Sequence, residues 1–318
     1  MAVEEGGYAW WYVDAMSDDG RLGLTLILMI GSVFSPYYRR ATLSGRGDPA
    51  RHSAVNIALY DIENPGGSWL GPALGQRSGD RWALTEGGML TRDRTTLSIG
   101  RSRASWDGSA LRVDLREVTA PFASPLEGEL TVYPENLSSE THTLDARGRH
   151  TWSPIAPFGR IEARFSRPDL RFSGLAYLDH NAGDEPLASG FSSWTWSRFT
   201  SDRRTTVVYD VARRDGSSHR IARAFHADGT RETCPGDGDT VRLARTRWQM
   251  ERSIRTVDRA DVKLGRTLED TPFYARSQLV GTIDGQPASG VHEVVDMMRF
   301  ESRLVQGMLP YRMRRLPA

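Results

Sequence analysis

The sequence of 318 residues has one cysteine, Cys234, and one lysine, Lys263. A single cysteine excludes an internal disulfide and fits a reducing compartment. Its place in the loop-like stretch TCPGDGD does not mark it as a nucleophile. The scarcity of lysine among 41 basic residues reads as the coding bias of a GC-rich genome. Excess charge is also missing. Basic residues balance 40 acidic ones, and the two signs alternate without forming a stripe, which argues against nucleic acid as a partner. There is no long hydrophobic run. The most apolar stretch, LGLTLILMIGSVF at 22–34, is about half of the ~20 residues a membrane helix needs. It contains Gly23 and Gly31 and follows the turn signal SDDGR, so it reads as a buried strand. The first residues are acidic and aromatic without a basic segment, and no secretory signal is expected. Phosphate-binding glycine loops, GxSxG, HExxH and paired CxxC motifs are all absent. The histidines at 52, 142, 150, 180, 219, 226 and 292 lack metal-ligand spacing, so no metal site is expected.

Strand and turn signals dominate what is present. Tyr8–Ala15 and Leu22–Phe34, joined across SDDG, predict a long hairpin. SAVNIALYD, RWALTE, TTLSIG, ALRVDLREV and GELTVYPE continue the series, with an Asp107-Gly108 turn inside it. Residues 134–159 are rich in Pro, Gly, Ser and Thr and predict a linker. A second strand series follows, punctuated by Asp215-Gly216, Asp228-Gly229 and Asp284-Gly285, with TVRLARTRWQMERS among its strands. Such spacing predicts an all-β chain of sandwich or barrel units, with domains at 1–140 and 155–318. The segment Val291–Arg315 is the one good helix candidate. It ends in RMRR, which reads as a frayed, solvated end or as a contact for an anionic surface.

Aromatic and acidic residues cluster in four places. In GGYAWWYVDA, a period of two puts Tyr8, Trp10, Tyr12 and Asp14 on one strand face. An ordinary core wants the rings but not the acid, whereas a pocket for an apolar ligand that must be protonated wants both. YLDHNAGDEPL, containing Tyr177, Asp179, His180 and Asn181, reads as a loop after a strand. Trp194 and Trp196 share a strand face, and Asp210 lies within the apolar run VVYDV beside Tyr209. The dull readings are core tryptophans, a capped turn, and carboxylates facing water. An Asp210 aimed into an apolar cavity would be kept neutral by desolvation and could act as an acid.

These same stretches carry a resemblance. GGYAWWYVDAMSDDGRLGLTLILMIGSVFSPYY, HSAVNIALYD, RWALTE, TLSIGRSRASWDG, WSPIAPFGRIEARF, GLAYLDHNAGDEPL, WTWSR and VVYDV, in this order, resemble the carotenoid 1,2-hydratases of purple photosynthetic bacteria, over nearly the whole chain. The resemblance implies tandem lipocalin-like β barrels, to which the residue pattern adds a short C-terminal helix. It implies cofactor-free addition of water to the terminal double bond of acyclic carotenes such as neurosporene or lycopene. The positions that match the family's are His180 and Asn181, Trp194 or Trp196, and Tyr209 and Asp210; together with the residue pattern this gives Asp210, Tyr209, His180 and Trp196 as the expected catalytic residues and Trp194, Asn181, Tyr177, Asp179, Trp10, Tyr12 and Asp14 as the expected substrate-binding ones. Relatives often carry an aromatic two residues after the histidine, where Ala182 stands here, which leaves open which tryptophan does the equivalent work. Chemically, Asp210 would donate the proton, tryptophan faces would stabilise the cation, and His180 and Asn181 would hold water; Asp14 is the reserve acid. A cytoplasmic protein in peripheral contact with the intracytoplasmic membrane is expected. The alternatives are a non-catalytic carotenoid carrier, which would need a pocket but no acid, and an isomerase on the same fold.

Overall fold

The computed structural model describes residues 3–63, 80–234, 240–255 and 261–316. Its strands are, in chain order, β1 (Tyr8–Ser17), β2 (Leu22–Ile30), β3 (Ala54–Asp61), β4 (Arg81–Glu86), β5 (Leu90–Arg92), β6 (Thr96–Ile99), β7 (Ser102–Trp106), β8 (Leu111–Val118), β9 (Pro125–Asn136), β10 (His142–Thr143) and β11 (His150–Arg167). They continue as β12 (Asp169–Gly183), β13 (Phe191–Thr200), β14 (Arg204–Arg213), β15 (Ser218–His226), β16 (Arg231–Thr233), β17 (Thr240–Leu243), β18 (Arg252–Arg255), β19 (Asp261–Asp270), β20 (Tyr274–Ile283), β21 (Gln286–Asp296) and β22 (Arg314–Arg315). The chain is all-β, as its strand and turn signals predict.

Of the described residues, the first compact unit comprises 3–63, 80–186 and 306–316. Its sheet runs β22-β4-β3-β2-β1-β12-β11-β9-β8-β7-β6-β5, with β10 beside β11. Every pair is antiparallel except β22 with β4. One apolar core takes Val13 and Ala15 from β1, Leu24, Leu26 and Leu28 from β2, and residues from nearly every other long strand. A sheet that feeds a single core from end to end must curl on itself. Consistent with this, the Ala120 amide just beyond β8 donates to the Trp82 carbonyl of β4 at 3.1 Å. The long hairpin read across SDDG is present, its turn closed by Gly20 at φ 71°.

The second unit holds residues 187–305. Its main sheet runs β16-β15-β14-β13-β21-β20-β19, and β17 and β18 form a separate ribbon. The three Asp-Gly turns close hairpins there, with Gly216, Gly229 and Gly285 all at positive φ.

Several features differ from the sequence reading. The division into compact units falls between Pro186 and Leu187, not in 134–159, so 1–140 and 155–318 do not bound the units. Strands β9 and β11 run through much of that supposed linker. Its prolines sit at irregularities: the β11 register shifts between Pro154 and Ala156 and again before Gly159. TVRLARTRWQMERS is two strands joined by a turn, with Gln249 at φ 60°. The helix expected from Val291 begins only at Met297: Val291, Val294 and Val295 lie in β21, paired on both sides by β13 and β20. Two short helices follow, Met297–Phe300 and Arg303–Met308. A helix at Pro36–Leu43 was not foreseen, although Ser35 caps it and Pro36 opens it in the usual way. RMRR is docked instead of frayed: Arg312 lies over the Trp82 ring at 4.1 Å, and Met313 is buried. Among the described residues no helix is long and apolar enough to cross a membrane, and no group of three His, Cys, Asp or Glu side chains could hold a metal ion.

Candidate active site

Strand β1 is buried on both faces, which is why its sequence is apolar without simple alternation. Its odd positions, such as Val13 and Ala15, serve the core of the curled sheet. The even positions form a second, more polar surface, and antiparallel pairing extends it across three strands in rows. Tyr8 of β1 stands opposite Gly183 of β12, which stands opposite His150 of β11. The next row is Trp10, Asn181 and Trp152, and the third is Tyr12, Asp179 and Pro154. Asp14 and Tyr177 begin a fourth. Directly opposed residues share a face, so side chains from three distant sequence segments converge here.

Asp179 is the centre of this surface, at 3% exposure. Its Oδ2 accepts hydrogen bonds from Trp152 Nε1 at 2.8 Å and from Tyr177 OH at 3.0 Å, and Asn181 Nδ2 lies 3.4 Å from Oδ1. Two donors on one oxygen fix the carboxyl plane and turn Oδ1 into the oxygen suited to carry a transferable proton. Asn181 Oδ1 is buried and has no hydrogen-bond partner among the described residues; Thr25 Oγ1 and Asn56 Oδ1, on the same surface of β2 and β3, share that property. Such atoms in a native fold are places for a water or a ligand. Rings frame the acid. Tyr8 stacks on Trp10 at 4.8 Å between centroids, Tyr12 meets Tyr177 edge-on at 6.4 Å, and His142 stacks on Trp152 at 5.3 Å. Beside them, Tyr8 OH and His150 Nδ1 are 3.0 Å apart, and His150 Nε2 is 3.3 Å from Glu185 Oε1. Burial pushes the His150 imidazole below the ordinary histidine value, with the Asp145 and Glu185 carboxylates partly offsetting it.

The expected site residues therefore fall into groups. Trp10, Tyr12, Asp14, Tyr177, Asp179 and Asn181 are brought together on this surface. His180 is not: it points to the opposite face of β12, against Trp11 at 4.9 Å. Burial there, with Arg92 nearby, pushes its pKa down to about 4. YLDHNAGDEPL is no loop at its start; its first residues are strand, and period two separates His180 from its neighbours.

Trp194, Trp196 and Tyr209 belong to the second unit, buried on one face of its main sheet, with Trp196 directly opposite Tyr209. Asp210 takes the other face, opposite Thr195 and Arg220. It accepts a hydrogen bond from Arg220 Nε at 2.6 Å and lies 3.6 Å from Arg255 Nε, with its side chain 28% exposed. The expectation of an isolated acid in an apolar cavity fails for Asp210: it is ion-paired with two guanidiniums and partly exposed. Trp152, His150 and Glu185, which the structure sets beside this group, were not among the expected residues, and Tyr8 was placed on the ring-bearing face without a role. Trp152 heads the recognisable stretch WSPIAPFG, and Tyr8 shares the even face of β1, but only the pairing of β11 and of β1 with β12 brings them to the Asp179 surface.

Comparisons with known proteins identify the family. The family model described as carotenoid hydratase CrtC matches residues 26–318. The chain belongs to the carotenoid hydratase family. Among its relatives, the acyclic carotenoid 1,2-hydratase of Thiocapsa roseopersicina is 43% identical, over 99% of this chain and 75% of its own. That of Cereibacter sphaeroides is 35% identical over 92% of this chain and 98% of its own. Kievitone hydratase from Nectria haematococca has the same fold, with a TM-score of 0.59 at 12% identity, covering 93% of this chain and 90% of that one. As a carotenoid hydratase the chain is a hydro-lyase, carried on the lipocalin-like β architecture of these neighbours.

Proposed function

We propose that the chain hydrates the terminal double bond of an acyclic carotene, with Asp179 as the proton donor. The single observation that supports this reading most is the buried Asp179 carboxyl, oriented by Trp152 and Tyr177 within a ring-lined surface. A trisubstituted alkene is not polarised by a carbonyl, so water cannot attack it directly. Protonation must come first and yields a tertiary carbocation. Asp179 Oδ1 gives its proton to the less substituted carbon. The faces of Trp10, Tyr12 and Trp152 stabilise the cation by cation–π attraction, worth ~2 kcal/mol or more per ring when desolvated. Each such contribution is about thirtyfold in rate. Water held on Asn181 Oδ1 then bonds to the tertiary carbon and loses a proton. Asp14, at 1% exposure one row away, is the second buried acid of this surface and the reserve donor.

Trp194, Trp196 and Tyr209 form a buried aromatic face of the second unit and have no step in this scheme. No cofactor takes part in this scheme, and the membrane is the source of the substrate, reached by peripheral contact. A carrier without catalysis needs the rings but not a buried, oriented carboxyl. The test uses the purified chain and lycopene in detergent with deuterium oxide as solvent. The expected product gains one water and carries one carbon-bound deuterium beside the tertiary alcohol. Binding of lycopene with no hydrated product would favour the carrier instead.

A further inference from the structure

Hydration also needs a base, and one group of buried side chains beside Asp179 has no part in protonating the alkene. Tyr8, His150 and Glu185 form a chain of contacts: Tyr8 OH to His150 Nδ1 at 3.0 Å, and His150 Nε2 to Glu185 Oε1 at 3.3 Å. Tyr8 and His150 are fully buried, and their rings stack at 5.8 Å. Glu185 is anchored in turn by Arg147 and by Arg149 Nη1 at 2.8 Å, and the His150 amide is held by Asp145 Oδ1 at 2.9 Å. The strand between Tyr8 and His150 has been opened for their contact. A Cβ on Gly183 would lie 2.5 Å from the Tyr8 ring and 2.7 Å from His150 Nδ1. Structural ion pairs have no need of a neutral phenol–imidazole bond on the substrate face, two rows from the acid. Rows of a strand repeat at about 7 Å, so the row of Asn181 lies between Tyr8 and Asp179.

We propose, resting on the assignment of Asp179 as the acid, that Tyr8 and Glu185 make His150 the base of the reaction, Tyr8 as the proton carrier that touches the water and Glu185 as a positioning residue. Glu185 accepts from Nε2–H and so fixes the tautomer in which Nδ1 is bare. Tyr8 OH donates to that Nδ1 and offers its own oxygen to the water on Asn181. As the water oxygen bonds to the carbocation, one water O–H breaks and its proton passes to the Tyr8 oxygen. The Tyr8 proton moves at the same time to His150 Nδ1, and Glu185 stabilises the imidazolium that forms. The Asp179 carboxylate and the His150 imidazolium are then reset by proton exchange through solvent, so the sum is alkene plus water to alcohol. His150 lies below the ordinary histidine value, so it is neutral, and a base, at pH 7. The charged groups facing it are Asp145, Asp184 and Glu185, with Arg147 and Arg149 paired to them.

The experiment measures lycopene hydration by the full chain across pH for the wild type and for Tyr8→Phe, Glu185→Gln, Glu185→Asp and Asp179→Asn. Tyr8→Phe removes one oxygen and is expected to lower kcat about 100-fold with KM within about twofold. Glu185→Gln removes a charge that favours the imidazolium. The acid limb of kcat/KM should therefore move down by about one pH unit while kcat falls about tenfold, and Glu185→Asp should restore both in part. Wild-type kcat in a folded Tyr8→Phe, or an unmoved acid limb in Glu185→Gln, overturns the relay. If Asp179→Asn is inactive while Tyr8→Phe is unimpaired, only the relay is wrong. If Asp179→Asn hydrates lycopene as the wild type does, the reading of the site fails and takes the relay with it.

Discussion

Asp179 and Asp210 are the same side chain in two environments, and the difference lies in their donors. Asp179 accepts from an indole and a phenol, with an amide 3.4 Å away, on a buried surface. Asp210 meets two guanidiniums and is partly exposed. The indole and phenol orient a buried carboxyl on a ring-lined surface, whereas Asp210 stands in ion pairs with its side chain 28% exposed. Ion pairs of this exposure are worth about 1 kcal/mol or less. Asp210→Asn is therefore expected to cost no more than that in urea unfolding and to leave hydration near wild type. The aromatic row of β1 ending on an acid was legible because period two is read directly from residues four to six apart. The orientation of Asp210 was not, since VVYDV alternates equally well with either face inward. His180 was misplaced for a related reason: reading YLDHNAGDEPL as a loop removed the alternation that puts His180 and Asp179 on opposite faces.

At the scale of the elements, the site depends on pairing that no local pattern records. Asp179 and Trp152 are 27 residues apart, and only the antiparallel run of β11 along β12 sets Trp152 one row from the acid. Strand β11 hid itself by its composition. HTWSPIAPFG carries two prolines and a glycine, which read as a linker, yet the strand absorbs them at register shifts and continues to Arg167. A proline cannot donate to the ladder, so a bulge is where a long strand can hold one. Those irregularities lie next to the site, between Pro154 and Gly159, where a bent strand re-aims its side chains. The hairpins were easier. Each Asp-Gly pair needs a positive φ that glycine supplies, and such turns announce themselves in two residues. Val291–Asp296 was the reverse case: loosely spaced apolar residues fit a helix, but β-branched valines between two neighbouring strands form the ladder.

For the whole molecule, buried neutral histidines tie stability to pH. His180 is pushed down to about 4 and His292 to about 3, in both cases by burial first, with Arg92 and Arg252 adding to it respectively. The unfolded chain takes up these protons near pH 6.5 and the folded chain does not, so the folded state loses ground as pH falls below about 6.5. Each histidine steepens that loss by up to about 1.4 kcal/mol per pH unit until its folded value is reached. Urea unfolding at pH 7, 6 and 5 should show the decline, and His292→Gln should flatten it. The strand and turn grammar made the all-β class readable over the whole length, while the boundary at 186 and the return of residues 306–316 to the first unit are set by tertiary packing and leave no compositional mark. The most direct measurement of the central claim is lycopene turnover by Asp179→Asn, which keeps the size of the side chain and cannot donate an acidic proton. Loss of hydrated product by about 1,000-fold or more, with lycopene still bound, is the predicted result; turnover within a few-fold of wild type contradicts it.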